Sequence, residues 1–143
     1  MLIIQDKAKE EMIGDALSAF PDECCGFLFG EEATGERIIT AIRVVNNAKE
    51  GDKRRRFEIA PEDYLRAERF ADENGLQLLG VYHSHPNHPA IPSEYDRVAA
   101  QPYFSYIIIS VINNEWADTR SWRLNEELKF EKETISEYQS IKN

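Results

Sequence analysis

The sequence predicts an α/β (α+β) domain: a mixed, mainly antiparallel sheet flanked by helices. Three observations carry that expectation. Short apolar runs punctuated by Gly, Asn and Pro recur along the chain. Three other segments space their apolar residues as helices do, and they fall between strand runs. The 143 residues, 42% hydrophobic and 10% aromatic, suit one domain around one core.

Taken in order, residues 2–4 are a short strand candidate. Residues 7–19 put Met12, Ile13, Ala16 and Leu17 on one helical face and stop at Pro21. Residues 24–30 (Cys-Cys-Gly-Phe-Leu-Phe-Gly) read as a buried strand whose glycines permit close backbone approach. A hairpin-type turn containing Gly35 leads to a returning strand over 37–46, and a short strand is expected at 57–59. Pro61 opens a helix to about Asn74, with Tyr64, Leu65, Ala67, Phe70 and Ala71 inward and Gly75 as its stop. Residues 76–82 form the next strand, and Ser93 opens a helix to about Gln101. A strongly apolar strand over 103–112, an Asn113-Asn114 turn and a partner over 116–124 complete a hairpin. Residues 127–135 read as a last strand or a frayed helix. The domain is expected to span 1–137, with 138–143 a mobile tail.

The net charge of -9 repels phosphate backbones, which weighs against nucleic acid as the main partner. No apolar run approaches the roughly 18 residues of a membrane span, and the N-terminus lacks a basic n-region. No membrane partner and a cytoplasmic location are therefore expected. Cys24 and Cys25 are adjacent and lack a Cys-x-x-Cys partner pattern, so they read as packed, reduced thiols. Lys53-Arg54-Arg55-Arg56 is ordinarily a solvated loop or strand edge; its alternative is a dock for an acidic protein.

The chemistry concentrates in His83-Ser84-His85-Pro86, Pro92-Ser93 and Asp96, in a chain with only three histidines. At period two, His83 and His85 project to one face at a strand end, with Ser84 pointing away. Asp96 returns on the first turn of a helix. Three N or O ligands plus one open position is the arrangement of a catalytic zinc site. Ser93 and Asp96 alone also satisfy the capping pattern S-x-x-[DE] and need no metal. Capping needs do not produce His-x-His beside that pair, and Ser93 can serve both purposes. His88 reads as a rim residue, and Pro86, Pro89 and Pro92 stiffen the loop.

This run matches H-[ST]-H-P-x5-P-S-x-x-D at every fixed position, and the chain thereby resembles the JAMM (MPN+) metalloproteases. Pro21-Asp22-Glu23-Cys24-Cys25-Gly26 is similar to that family's Glu-x-Cys-Gly-type segment. Residues 106–111 and Ser121-Trp122 resemble its compact bacterial members, so residues 1–125 are roughly covered. The resemblance implies a curved sheet similar to the deaminase fold. It implies one Zn2+ with a bound water, held by His83, His85 and Asp96, with Glu23 as general base and Ser93 as oxyanion donor. By its residues alone, Glu23 also reads as a surface glutamate in a turn.

The resemblance further implies hydrolysis of a peptide or isopeptide bond after the C-terminal Gly-Gly of a ubiquitin-like protein. For the compact members that protein is a sulfur carrier, and cysteine or another C-terminal residue is released. Two other readings stay open. One is a non-catalytic MPN assembly module, a class that typically lacks ligands. The other is a RadC-like DNA-repair-associated protein, whose motif usually reads His-Asn-His-Pro-Ser-Gly behind a helical DNA-binding region.

Overall fold

The computed structural model describes residues 1–54 and 56–137. In chain order these form β1 (Leu2–Ile4), α1 (Asp6–Ala19), β2 (Cys25–Ala33), β3 (Glu36–Val45), α2 (Pro61–Glu73) and β4 (Gln77–Pro86). After these come α3 (Glu94–Ala99), β5 (Ser105–Ile112), β6 (Glu115–Leu124), β7 (Phe130–Glu133) and β8 (Ile135–Glu137). The strands make one sheet in the order β7-β6-β5-β4-β2-β3-β1-β8. Its pairings are parallel at β4/β5, β3/β1 and β1/β8 and antiparallel at the other four junctions. β7 and β8 lie on opposite edges, yet only Thr134 separates them. One residue spans a few ångströms, so the sheet curls until its edges nearly meet.

α1 packs against one face of the curled sheet. Ala8, Met12 and Ala16 are buried there against Leu28, Ile39, Leu79, Ile107 and Ile109, with Ile13 and Leu17 at the margin. Each fully buried large apolar side chain contributes about 1.5–3 kcal/mol. α2 covers the other face, where Ala67 and Ala71 meet Phe27, Phe29, Val81 and Tyr106. Leu65, expected inward, is 63% exposed. It lies one residue beyond the Tyr64–Ala67–Ala71 stripe, and the stripe's small alanines already seat the helix.

A bulge in β4 decides which face each side chain serves. Leu28 pairs with Gly80 but Phe29 pairs with Leu78, leaving Leu79 as the extra residue. Leu79 therefore joins the α1 core while Val81 joins the α2 core. His83 and His85 share the parity of Val81 and emerge on the α2 side. The glycines of β2 behave as expected at two points. A Cβ on Gly26 would lie 2.3 Å from the Tyr82 ring, and one on Gly30 1.7 Å from the Ile38 carbonyl oxygen.

Several boundaries differ from the sequence reading, among them β2 and β4, which run on to Ala33 and Pro86. Residues 57–59 are not a strand: Glu58 N–H donates to the Asn47 side-chain oxygen (3.0 Å), an amide standing in for a strand partner. α3 ends at Ala99 instead of Gln101, because Gln101 precedes Pro102 and is kept out of the helical region. The segment over 127–135 divides into β7 and the start of β8, which pair with β6 and β1. The expected tail, 138–143, lies outside the described residues. No helix among the described residues is long and apolar enough to cross a membrane.

Candidate metal centre

β4 carries both imidazoles to the surface of the α2-side core, with ring centroids 5.0 Å apart. His83 is 1% exposed and His85 9%. Phe57 stacks on His83 at 4.4 Å and 26°, fixing the ring plane; the segment that failed to become a strand supplies this contact. Asp96 enters from α3. Its carboxylate lies 3.1 Å from His85 Nε2 and 3.8 Å from His83 Nε2. Glu23, just ahead of β2, places Oε1 3.3 Å from His83 Nδ1 and is 4% exposed. The surface-turn reading of Glu23 therefore fails on burial. Ligand-type atoms of Glu23, His83 and His85 all lie within 4.8 Å of one another.

The capping pattern and the site turn out to be one object. Ser93 Oγ accepts from Asp96 N–H (3.0 Å), and Asp96 Oδ2 accepts from Ser93 N–H (2.9 Å). This capping box fixes the Asp96 carboxylate while it faces both imidazoles. The Ser93 side chain is exposed, and its own proton stays available toward the adjacent groove.

Protonation chemistry tests whether these residues fit a metal. His85 Nδ1 meets the Pro89 carbonyl at 2.9 Å. A carbonyl only accepts, so Nδ1 carries the proton, and Nε2 turns toward a carboxylate with its lone pair. A lone pair and a carboxylate at 3.1 Å repel unless a proton or a metal ion lies between them. A backbone carbonyl orienting the far nitrogen is the usual support for a metal-ligating histidine. Burial pushes the His85 pKa down, but the Asp96 hydrogen bond and the Pro89 carbonyl outweigh it, and the net direction is up. Burial alone would raise the Asp96 carboxyl; the charge of His83 and the hydrogen bond to His85 hold it far below its usual range. The donor set therefore fits a divalent cation.

Hydrogen bonds from distant strands also hold the loop between β4 and α3. Asn87 N–H donates to the Val111 carbonyl (2.6 Å), Ser110 Oγ to the His88 carbonyl (2.5 Å) and Trp122 Nε1 to the Ala90 carbonyl (3.0 Å). Ser84, pointing away as expected, is fully buried and accepts from Cys24 N–H at 2.8 Å, tying Glu23's neighbour to the strand of the histidines. Asn47 donates to the Glu23 and Arg56 carbonyls, both at 3.1 Å. The sequence reading missed Ser84's bond, Asn47 and Phe57, because all are contacts between distant segments. Burial pushes the Cys25 thiol up to about 12 and the Cys24 thiol up as well, so both are unreactive packing residues. His88 is exposed on the rim of a groove of about 490 Å³, whose walls include Glu23, Arg54, His85, Ile91 and Ser93.

A buried His/His/carboxylate cluster on a curled α+β sheet defines the class, and the comparisons define the family. Residues 5–125 match the family described as prokaryotic homologs of the JAB domain, and the chain belongs to it. It is 34% identical over 107 residues to the desampylase of Pyrococcus furiosus, covering 75% of this chain and 70% of that one. It is 33% identical over 108 residues to the Haloferax volcanii desampylase, covering 75% and 73%. A shorter stretch of 48 residues, 34% of this chain and 32% of the other, is 42% identical to a probable TtuB-protein conjugate cleaving protease of Thermus thermophilus. A solution structure from Desulfitobacterium hafniense superposes with a TM-score of 0.85 at 30% identity, over 99% of this chain and 95% of that one. The JAB1/MPN domain protein of Archaeoglobus fulgidus shares the fold at 18% identity, with a TM-score of 0.61 over 97% and 100%.

Proposed function

We propose that the chain is a zinc-dependent hydrolase. It cleaves the peptide or isopeptide bond after the C-terminal Gly-Gly of a ubiquitin-like sulfur-carrier protein and releases cysteine or another C-terminal residue. The observation that carries this reading is the convergence of His83, His85 and Asp96 beside the buried Glu23, with Glu23 and His85 at the wall of an open groove. Desampylase relatives support a ubiquitin-like substrate.

In this reading His83, His85 and Asp96 hold the metal, because Asp96 faces both Nε2 atoms whereas the hydrogen bond of Glu23 goes to Nδ1 of His83. When bound, zinc supplies a Lewis acid for the scissile carbonyl and a water acidified to near neutrality. Glu23 takes the attacking water's proton at its carboxylate and returns it to the leaving amine. Ser93 donates its hydroxyl proton to the developing oxyanion. The groove beside these groups, walled in part by Pro86, Pro89 and Ile91, admits an extended tail.

The test is incubation of zinc-loaded protein with carrier proteins ending in Gly-Gly-X, followed by mass spectrometry. Shortening of the tail to Gly-Gly is expected, with a loss of about 10²–10⁴-fold in rate for Glu23→Gln. An uncut tail for every carrier, or a Glu23→Gln variant as fast as the parent, overturns the reading.

A further inference from the structure

Lys53, Arg54 and Arg56 of the basic run are built onto the site. Glu23 N–H donates to the Lys53 carbonyl at 2.6 Å, and Asn47 bridges the Glu23 and Arg56 carbonyls. The Arg56 guanidinium lies 4.7 Å over the ring of Tyr95, the residue before Asp96. Phe57 then stacks on His83. The strap is thus pinned on both sides of Arg54, whose own N–H is held by the Asp52 carboxylate at 2.9 Å.

Arg54 is exposed and lines the same groove as Glu23, His85 and Ser93. Among the described residues lining that groove it is the one arginine or lysine, and no described carboxylate forms an ion pair with it. The remaining walls are largely Pro86, Pro89 and Ile91. A neutral isopeptide gains nothing from a cation there. A substrate whose leaving residue carries a free carboxylate faces Glu23 on the groove wall, in a chain of net charge -9. A fixed cation on the groove wall offsets that repulsion, and a guanidinium matches a carboxylate with two parallel N–H bonds.

We propose that Arg54 is a specificity-determining residue that anchors the free α-carboxylate of the substrate's last residue, directing the site to trim a C-terminal residue from a Gly-Gly tail. This rests on the peptidase reading above. In the step, water's oxygen joins the glycine carbonyl carbon and the C–N bond breaks. The departing amine takes the proton passed by Glu23, while its carboxylate stays on Arg54.

The experiment compares a synthetic tail peptide ending Gly-Gly-Ala as the free acid with the same peptide as its C-terminal amide. Zinc-loaded parent protein is expected to favour the acid by about ten- to one-hundred-fold in kcat/KM. Arg54→Gln is expected to bring that ratio close to one, and Arg54→Lys to leave a smaller preference, since the charge remains but the fork is lost. Calorimetric binding of both peptides to Glu23→Gln protein, with and without Arg54→Gln, reads the same preference without turnover. Equal handling of acid and amide by the parent, or a preference that survives Arg54→Gln, overturns the anchor while leaving the peptidase reading standing. If neither peptide is cut, the acid and amide are compared on a full carrier protein ending Gly-Gly-Ala; if no carrier is cut either, the peptidase reading falls and the anchor falls with it.

Discussion

The two faces of β4 hold the same kinds of groups and treat them in opposite ways. On the α1 side, Tyr82 donates its hydroxyl to Asp15 at 2.8 Å, and Ser84 accepts from Cys24 N–H. Donor meets acceptor in each pair. On the α2 side, His85 Nε2 and the Asp96 carboxylate, two acceptors in the neutral-imidazole state, confront each other. The carboxyls respond accordingly. Burial raises Asp15 more than its bonds to Tyr82 and Cys24 lower it, whereas the imidazoles drive Asp96 down. A buried polar cluster that closes on itself is structural; one that needs a cation to close is a site.

The sharpest way to break this contrast is Asp96→Asn. It removes the proposed ligand and the charge facing both imidazoles, so zinc content, read by atomic absorption, is expected to fall from about one per chain toward zero. Full zinc retention would mean that Asp96 is only a cap. Ser93→Ala comes next, with an expected drop of about 10²–10³-fold in kcat and a stability loss of only about 1 kcal/mol from the missing cap. Parallel losses in both would reduce Ser93 to its capping role.

Ser84→Ala probes the opposite face. It strands the buried Cys24 N–H, so urea denaturation is expected to show a loss of about 1–3 kcal/mol with zinc content unchanged. Zinc loss without destabilisation would merge the two faces. The smallest effect is expected from Asp15→Asn. A carboxyl raised in the folded state favours folding below its unfolded pKa near 3.8, and that contribution is lost as pH rises through the higher folded value. Asparagine does not titrate, so the variant is expected to gain relative to the parent as pH climbs above about 3.8. A stability gap that stays constant across a pH series of urea midpoints would contradict the assignment.

Much of the fold was legible because it rests on local periodicity. The α1 stripe of Met12, Ile13, Ala16 and Leu17, the Pro61 start and Gly75 stop of α2, and the Asn113-Asn114 hairpin all follow from spacing within one segment. Residues 57–59 and the division of 127–135 escaped for a common reason. Each depends on which distant segment arrives as neighbour, and pattern within a window carries no information on that. His83, His85 and Asp96 were legible for the same cause in reverse, since a strand end and the next helix start fall within one run of fourteen residues.

By itself, then, the sequence determined the chemistry available: two imidazoles on one strand face, an aspartate set by its own capping box, and the donor types of a metal site. Tertiary structure decided what that chemistry faces. The β4 bulge turned the histidines to the α2 side, and strand pairing brought Glu23 across sixty residues. The Asn47 clamp seated the basic strap, with Arg54, at the rim of the groove. Ligand spacing is a property of the backbone's short-range geometry. The company those ligands keep depends on long-range pairing, which only the folded sheet supplies.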